Sequence, residues 1–240
     1  MIRKPGSPWW YRRRSLVIFA IYFAGFALGP VALGAHASEV APAFVWFALR
    51  VHADPAMLLW CATGLTMAGF LIRLWGSAYL SASVVWNSDA RDDRLIVDGP
   101  FRFIRNPLYF GNNLQALGIG AIASPYGFLF IVLGSVVFTA LLAAHESGLM
   151  HARYGAVYER YRAAVPSMVP RTIPARVEGS VRGAPSFANG MRSELLTAGL
   201  ALGMLGMALY GPTAMPFLGA CWVGGWVLQA SLRARAHPRV

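Results

Sequence analysis

The sequence predicts an all-α fold: a polytopic transmembrane helical bundle of about six spans, including a tight helical hairpin. Three observations predict it. Of 240 residues, 57% are hydrophobic and only 13% are charged, roughly half the charged share of a soluble domain. The apolar residues come in long blocks instead of at the spacing of a soluble core, so lipid is the solvent for this fold. The basic residues flank those blocks preferentially on one side, as orientation in a bilayer demands.

The first apolar block covers residues 16–33 and follows the basic run Arg12-Arg13-Arg14. Ala35-His36-Ala37 resembles a cleavage site, yet the block exceeds the roughly 7–15 residues of a signal core, so an uncleaved span is expected. Phe44-Val45-Trp46-Phe47 is too short to span and belongs at the outer interface, where Trp is favoured. The second block covers 56–75. The third, 108–123, is short and carries Tyr109, Asn112, Asn113 and Gln115; intramembrane polar groups are functional candidates by default. Only Ser124-Pro125 separates it from the fourth, 126–144, which makes the two a hairpin.

After Gly155 an amphipathic helix is expected, with Tyr158, Tyr161 and Val165 on one face. Residues 172–189 are rich in Pro, Gly, Ser and Arg and read as a linker. The fifth and sixth blocks cover 195–210 and 215–232. The expected organisation is a membrane core over 1–171, a linker over 172–193 and a two-span appendix over 194–240. Gly25-x-x-x-Gly29 and Gly199-x-x-x-Gly203 permit close helix approach, and ordinary packing within the chain suffices to explain them.

Arginines mark the orientation. Arg3, Lys4 and Arg12–Arg14 precede the first block; Arg91, Arg94, Arg102 and Arg105 precede the hairpin; Arg153 to Arg192 follow it; Arg233, Arg235 and Arg239 end the chain. The stretch 34–55 has only Arg50. Both termini and both long loops are therefore expected in the cytoplasm, with a bacterial inner membrane the expected home. The net charge of +11 does not indicate nucleic acid, because no basic stripe with interleaved aromatics exists. Cys61 and Cys221 sit far apart inside apolar blocks, and the five histidines are scattered, so no metal site is expected. Oligomeric state is left open.

Chemistry concentrates in two stretches. In 95–113, Gly99-Pro100 makes a turn, and Asn106-Pro107 matches a helix start, with Asn as N-cap and Pro in the first helical position. Such an end offers free N–H groups and a positive dipole to an anion, and Arg102 and Arg105 could add a bidentate clamp. The plainer reading is a capped helix whose arginines meet lipid headgroups. In 145–166, Glu146 sits where the fourth block leaves the membrane; its plainer reading, with the helix that follows, is an interfacial segment with snorkelling arginines and tyrosines.

The ordered set Gly99-Pro-Phe-Arg-Phe-Ile-Arg-Asn-Pro-Leu-Tyr-Phe-Gly111, an apolar hairpin, Glu146, and Arg153-Tyr-Gly-x-x-Tyr-x-x-Tyr-x-x-x-Val-Pro166 resembles the isoprenylcysteine carboxyl methyltransferase family and its phospholipid methyltransferase relatives. Leu71-Ile-Arg-Leu-Trp75 looks like the segment that closes the preceding span in that family. The resemblance covers about 65–170 and implies that S-adenosylmethionine binds at the cytoplasmic end of the bundle. The matching positions are Leu95, Ile96, Phe101, Arg105, Asn106, Pro107, Leu108 and Tyr109 for the cofactor, with Glu146 at the reaction centre and His145 beside it. Two departures qualify what it implies. Asn106 stands where the eukaryotic enzymes have His; Asn hydrogen-bonds but cannot hold or release a proton, which assigns it to binding. Leu142 stands where they have a substrate arginine, leaving His145 or Arg153 as substitutes.

The resemblance implies a methyltransferase acting on a lipid-like or amphipathic acceptor through a carboxylate, amine or thiol. A carboxylate needs no base; for an amine or thiol, Glu146, His145 or Tyr109 could take the proton. The alternative is a non-catalytic lipid-binding or scaffold protein retaining the fold.

Overall fold

The computed structural model describes residues 8–33, 41–80, 95, 97–177 and 183–236, with the backbone alone at 30–33 and 236. Every regular element among them is helical. The order is α1 (Trp9–Arg12), α2 (Arg14–Leu33), α3 (Ala43–Val51), α4 (Pro55–Tyr79), a 3-10 turn (Gly99–Arg102), α5 (Pro107–Gly120), α6 (Pro125–Tyr154), α7 (Ala156–Ala164), α8 (Phe187–Ser193), α9 (Leu195–Tyr210), a second 3-10 turn (Gly211–Ala214) and α10 (Met215–Ala236).

The starts of the long helices follow local rules. α4 opens with Pro55 after Asp54, whose carboxylate accepts from the Ala56 N–H at 2.9 Å. α6 opens with Pro125 after Ser124, whose hydroxyl accepts from the Gly127 N–H at 3.0 Å. That single cap closes the α5–α6 hairpin expected from Ser124-Pro125. The outer helix α3 is tied to the same turn, with the N–H groups of Ala43 and Phe44 donating to the carbonyls of Ala123 and Ala121. It is too short to span, and Arg50 lies 3.5 Å over the Trp46 ring.

Among the described residues, three helical runs are long and apolar enough to cross a membrane: α4, α6 and the 41-residue run Leu195–Arg235. The last is not one rod. It doubles back at Gly211, whose φ of 68° suits glycine, and α9 then packs antiparallel on α10. Gly199 and Gly203 are where they meet, the first against the backbone of Cys221 and the second against Leu218; a Cβ at either would collide. α2 reaches α6 in the same way, through Gly25 against Gly127 and Ile131. These glycine pairs thus pack helices within the chain. α5 has 14 residues, or about 21 Å, which is short of a full bilayer crossing.

The stretch read as a linker contains structure. Its end forms α8, with Gly190 against the backbone of Ala78, and the Ser186 N–H donating to the Ala78 carbonyl at 2.7 Å. The last helices are therefore seated on α4. Leu59, Ala62, Ile119, Met204 and Leu218 form one buried cluster drawn from α4, α5, α9 and α10. A second, smaller core lies at the end of the bundle where α4 finishes and α5 begins. There Tyr158, Tyr161 and Val165 pack on Val97 and Ala175. The apolar face of α7 is thus covered by protein.

Candidate functional site

α6 continues past the apolar block 126–144 to Tyr154, so Glu146 projects from the middle of a continuous helix. Its Oε1 accepts two phenolic hydrogen bonds, from Tyr109 at 2.7 Å and from Tyr11 at 3.1 Å. Tyr109 lies in the first turn of α5, and its bond holds the carboxylate beside the helix start that the sequence singled out. Glu146, Tyr109 and the Asn106-Pro107 junction are therefore neighbours at one end of the bundle.

Asn106 occupies the N-cap position and Pro107 the first helical position, as the sequence predicts. The side chain does not cap the helix, however. Its Nδ2 donates instead to the carbonyl and hydroxyl of Ser167, at 3.1 and 3.0 Å. The physical reason is the irregular stretch 166–175, which runs alongside the turn. The Arg105, Arg171 and Ala175 N–H groups donate to the carbonyls of Pro166, Phe103 and Arg102 respectively, and Asn106 is drawn into this lacing. The first N–H groups of α5 are left without a side-chain acceptor, which suits an anionic ligand.

The two arginines do not form a free clamp. Arg102 Nε donates to the Ala175 carbonyl at 2.9 Å, and Arg105 Nη1 donates to the Tyr158 hydroxyl at 3.1 Å. The Tyr158 hydroxyl donates in turn to Ser147 Oγ at 2.9 Å, which links Arg105 to the residue after Glu146. Arg105 Nε is buried with no partner among the described residues. Phe101 is buried, and its carbonyl accepts from the Tyr161 hydroxyl at 2.8 Å. Burial pushes the Tyr161 phenol well above its usual range, so it remains a donor. Leu95 joins the same small core, and the Leu108 carbonyl accepts from Arg73. Ile96 lies outside the described residues.

His145 is half-buried, in ring contact with Tyr11 at 4.5 Å and with Trp10 at 5.4 Å, and its Nε2 has no partner among the described residues. Leu142 is wholly buried in a cluster with Tyr11, Phe138, Trp10 and Tyr109. The N-terminal aromatics thus pack directly on the position that the family resemblance gives to a substrate arginine. Arg153 is exposed, standing 5.5 Å over the Tyr154 ring. An apolar pocket of about 190 Å³ between Ile72, Trp75, Pro100, Phe103 and Phe110 shares no residue with the Glu146 cluster.

The polar residues of the third block join helices. Asn112 accepts from Arg73 at 2.7 Å, Asn113 from Thr139 at 3.1 Å, and Gln115 donates to the Thr197 carbonyl at 3.4 Å. Arg73 also pairs with Glu194 at 2.7 Å, and Glu194 takes further bonds from Ser77 and Thr197. Sequence reasoning missed Glu194 and Tyr11. Their only signals were a lone acid before an apolar block and an aromatic triplet, Trp9-Trp10-Tyr11, inside a basic tail. No group of His, Cys, Asp and Glu that could hold a metal exists among the described residues.

Residues 57–157 match the phospholipid methyltransferase family model. The resemblance drawn from the motifs therefore holds for the stretch from α4 through α6, which contains Asn106, Tyr109 and Glu146. Over 74 residues the chain is 34% identical to phosphatidylethanolamine N-methyltransferase B of Dictyostelium discoideum. That alignment covers 29% of this chain and 37% of the relative, so the chain matches little more than a third of that protein's length. No solved structure matches the chain.

Proposed function

We propose that this chain is an S-adenosylmethionine-dependent methyltransferase that methylates the amine headgroup of a phospholipid at the cytoplasmic face of the membrane. The observation that carries the reading is the Tyr109–Glu146 hydrogen bond, which ties a carboxylate to the first turn of α5 inside the matched segment. A phospholipid acceptor is the natural partner for a site built into apolar helices. An amine is favoured over a prenylcysteine carboxylate because Leu142 is sealed under Tyr11 and Phe138, and an arginine there would have no room to reach an anion.

The residues present fit the methyl donor, which is a cation with an amino-acid carboxylate. The uncapped start of α5, with Asn106, Pro107, Leu108 and Tyr109, suits the donor's carboxylate; Arg105, with its unpartnered Nε, adds positive charge beside it. Leu95, Ile96 and Phe101 are assigned to its apolar surroundings. The donor supplies an electrophilic methyl group. Glu146 holds the acceptor's ammonium head, takes its proton on Oε2, and leaves the nitrogen lone pair to attack. Tyr109 fixes Glu146 for this task, and His145 lines the same wall. In-line displacement gains most from such positioning.

The test is whether purified protein binds labelled S-adenosylmethionine and transfers the label to phosphatidylethanolamine in mixed vesicles, which is the expected outcome. Glu146→Gln, which keeps shape and hydrogen bonding, cuts turnover at least about tenfold, equivalent to about 1.4 kcal/mol in the barrier. Tight donor binding with no methyl transfer to any aminolipid would sink the enzymatic reading in favour of a lipid-binding scaffold.

A further inference from the structure

We propose that the N-terminal segment is part of the reaction site, with Tyr11 as a positioning residue that acts through Glu146; this rests on the methyltransferase reading above. Tyr11 lies 135 positions from Glu146 in sequence and far outside the matched segment 57–157, yet it donates to the same oxygen as Tyr109. It is 4% exposed. A tail that merely carried arginines to headgroups would not bury a phenol against an acid.

The local fold explains the approach. α1 is a single turn, and the break at Arg13 separates it from α2; Trp10 and Tyr11 lie across α6 between Phe138 and Glu146. Trp10 meets Phe138 edge-on with ring centres 6.4 Å apart, Tyr11 meets His145 at a tilt of 58°, and Arg14 sits 5.3 Å over the Tyr11 ring. These contacts hold the phenol without help from Glu146. Two donors on Oε1 fix the plane of the carboxylate and occupy one of its two oxygens. Among the described residues, Oε2 accepts no hydrogen bond, which makes it the oxygen that meets the acceptor. With Tyr109 alone, the carboxylate could swing about one bond; with Tyr11 as well, it cannot.

The test is a double-mutant cycle on the full chain, with Tyr11→Phe and Glu146→Gln, read by kcat, KM and donor affinity. Tyr11→Phe keeps the ring contacts and removes only the hydroxyl. It lowers kcat about tenfold, the equivalent of one hydrogen bond to a charged group, with donor Kd and thermal midpoint unchanged. In the Glu146→Gln background the same change has almost no effect, since the two act as a unit. Equal losses in both backgrounds, or parental kcat in Tyr11→Phe, overturn the proposal. Infrared difference spectra of the purified protein, with Glu146→Gln as blank, give a second reading. Tyr11→Phe shifts the Glu146 carboxylate bands; unshifted bands overturn the contact itself. A parent that neither binds the donor nor transfers methyl overturns the functional reading, and the infrared result then still decides whether Tyr11 holds Glu146.

Discussion

Glu194 has no exposed surface, and both its oxygens are taken: Oε1 by Ser77 at 2.6 Å and Arg73 Nη2 at 3.0 Å, Oε2 by Arg73 Nε at 2.7 Å and Thr197 at 2.9 Å. The same guanidinium reaches Asn112 and the Leu108 carbonyl. One ion pair therefore couples the start of α9 to α4 and to the helix that begins at Asn106. Removing one partner of such a pair strands the other, which costs about 3–5 kcal/mol, whereas replacing both by apolar residues is often close to neutral. Glu194→Ala is expected to lower the thermal midpoint in detergent sharply, and Arg73→Met with Glu194→Leu together to recover most of the loss; additive losses would contradict the pairing. Arg73 was visible in sequence as part of Leu71-Ile-Arg-Leu-Trp75. Its partner was not, because nothing local distinguishes a buried Glu before an apolar block from one that faces headgroups.

At the scale of elements, α6 and α7 meet at Gly155, with φ 49° and ψ −122°, a combination that is open to glycine and strained for other residues. A Cβ at this position would meet nothing, so its cost is purely conformational. The bend turns Tyr158 and Tyr161 onto Val97 and Ala175, and His151 and Glu159 close it from outside at 2.6 Å. Gly155→Ala is expected to destabilise by about 1–3 kcal/mol and to raise protease sensitivity in 156–177 before global unfolding; an unchanged midpoint and digestion pattern would show that the bend carries no strain. The Tyr158-Tyr161-Val165 face was legible from spacing alone. Whether protein or lipid covers it was not, since either solvent rewards the same pattern.

Both ends of the described chain fold back on the matched segment, α1 onto α6 and α8 and α9 onto α4, with α10 packed on α9. The arginine distribution predicts that the N-terminus, residues 172–189 and the C-terminus share one side of the membrane. Reporter fusions at those three places should all read cytoplasmic, and a periplasmic signal from a fusion within 172–189 would reject the topology. α5 and α9, with 14 and 16 residues, are shorter than a full hydrocarbon crossing, so they need longer neighbours to reach both faces. α4 and α6 provide that frame.

The all-helical class, the helix start at Asn106-Pro107, the Ser124-Pro125 hairpin, and the likeness of the segment around Asn106, Tyr109 and Glu146 to phospholipid methyltransferases were legible in the sequence. Those features depend on local capping, apolar block length and the order of motifs, and each is written within a few turns of chain. Only the tertiary structure shows that Asn106 bonds Ser167 instead of capping its helix, that Arg102 bonds the Ala175 carbonyl and that Arg105 bonds Tyr158. The same holds for the burial of Leu142, the Tyr11–Glu146 hydrogen bond and the Glu194–Arg73 pair. Each is a choice of partner between residues tens of positions apart. In a chain this apolar, the pattern that says a residue is out of water does not say which neighbour took the water's place.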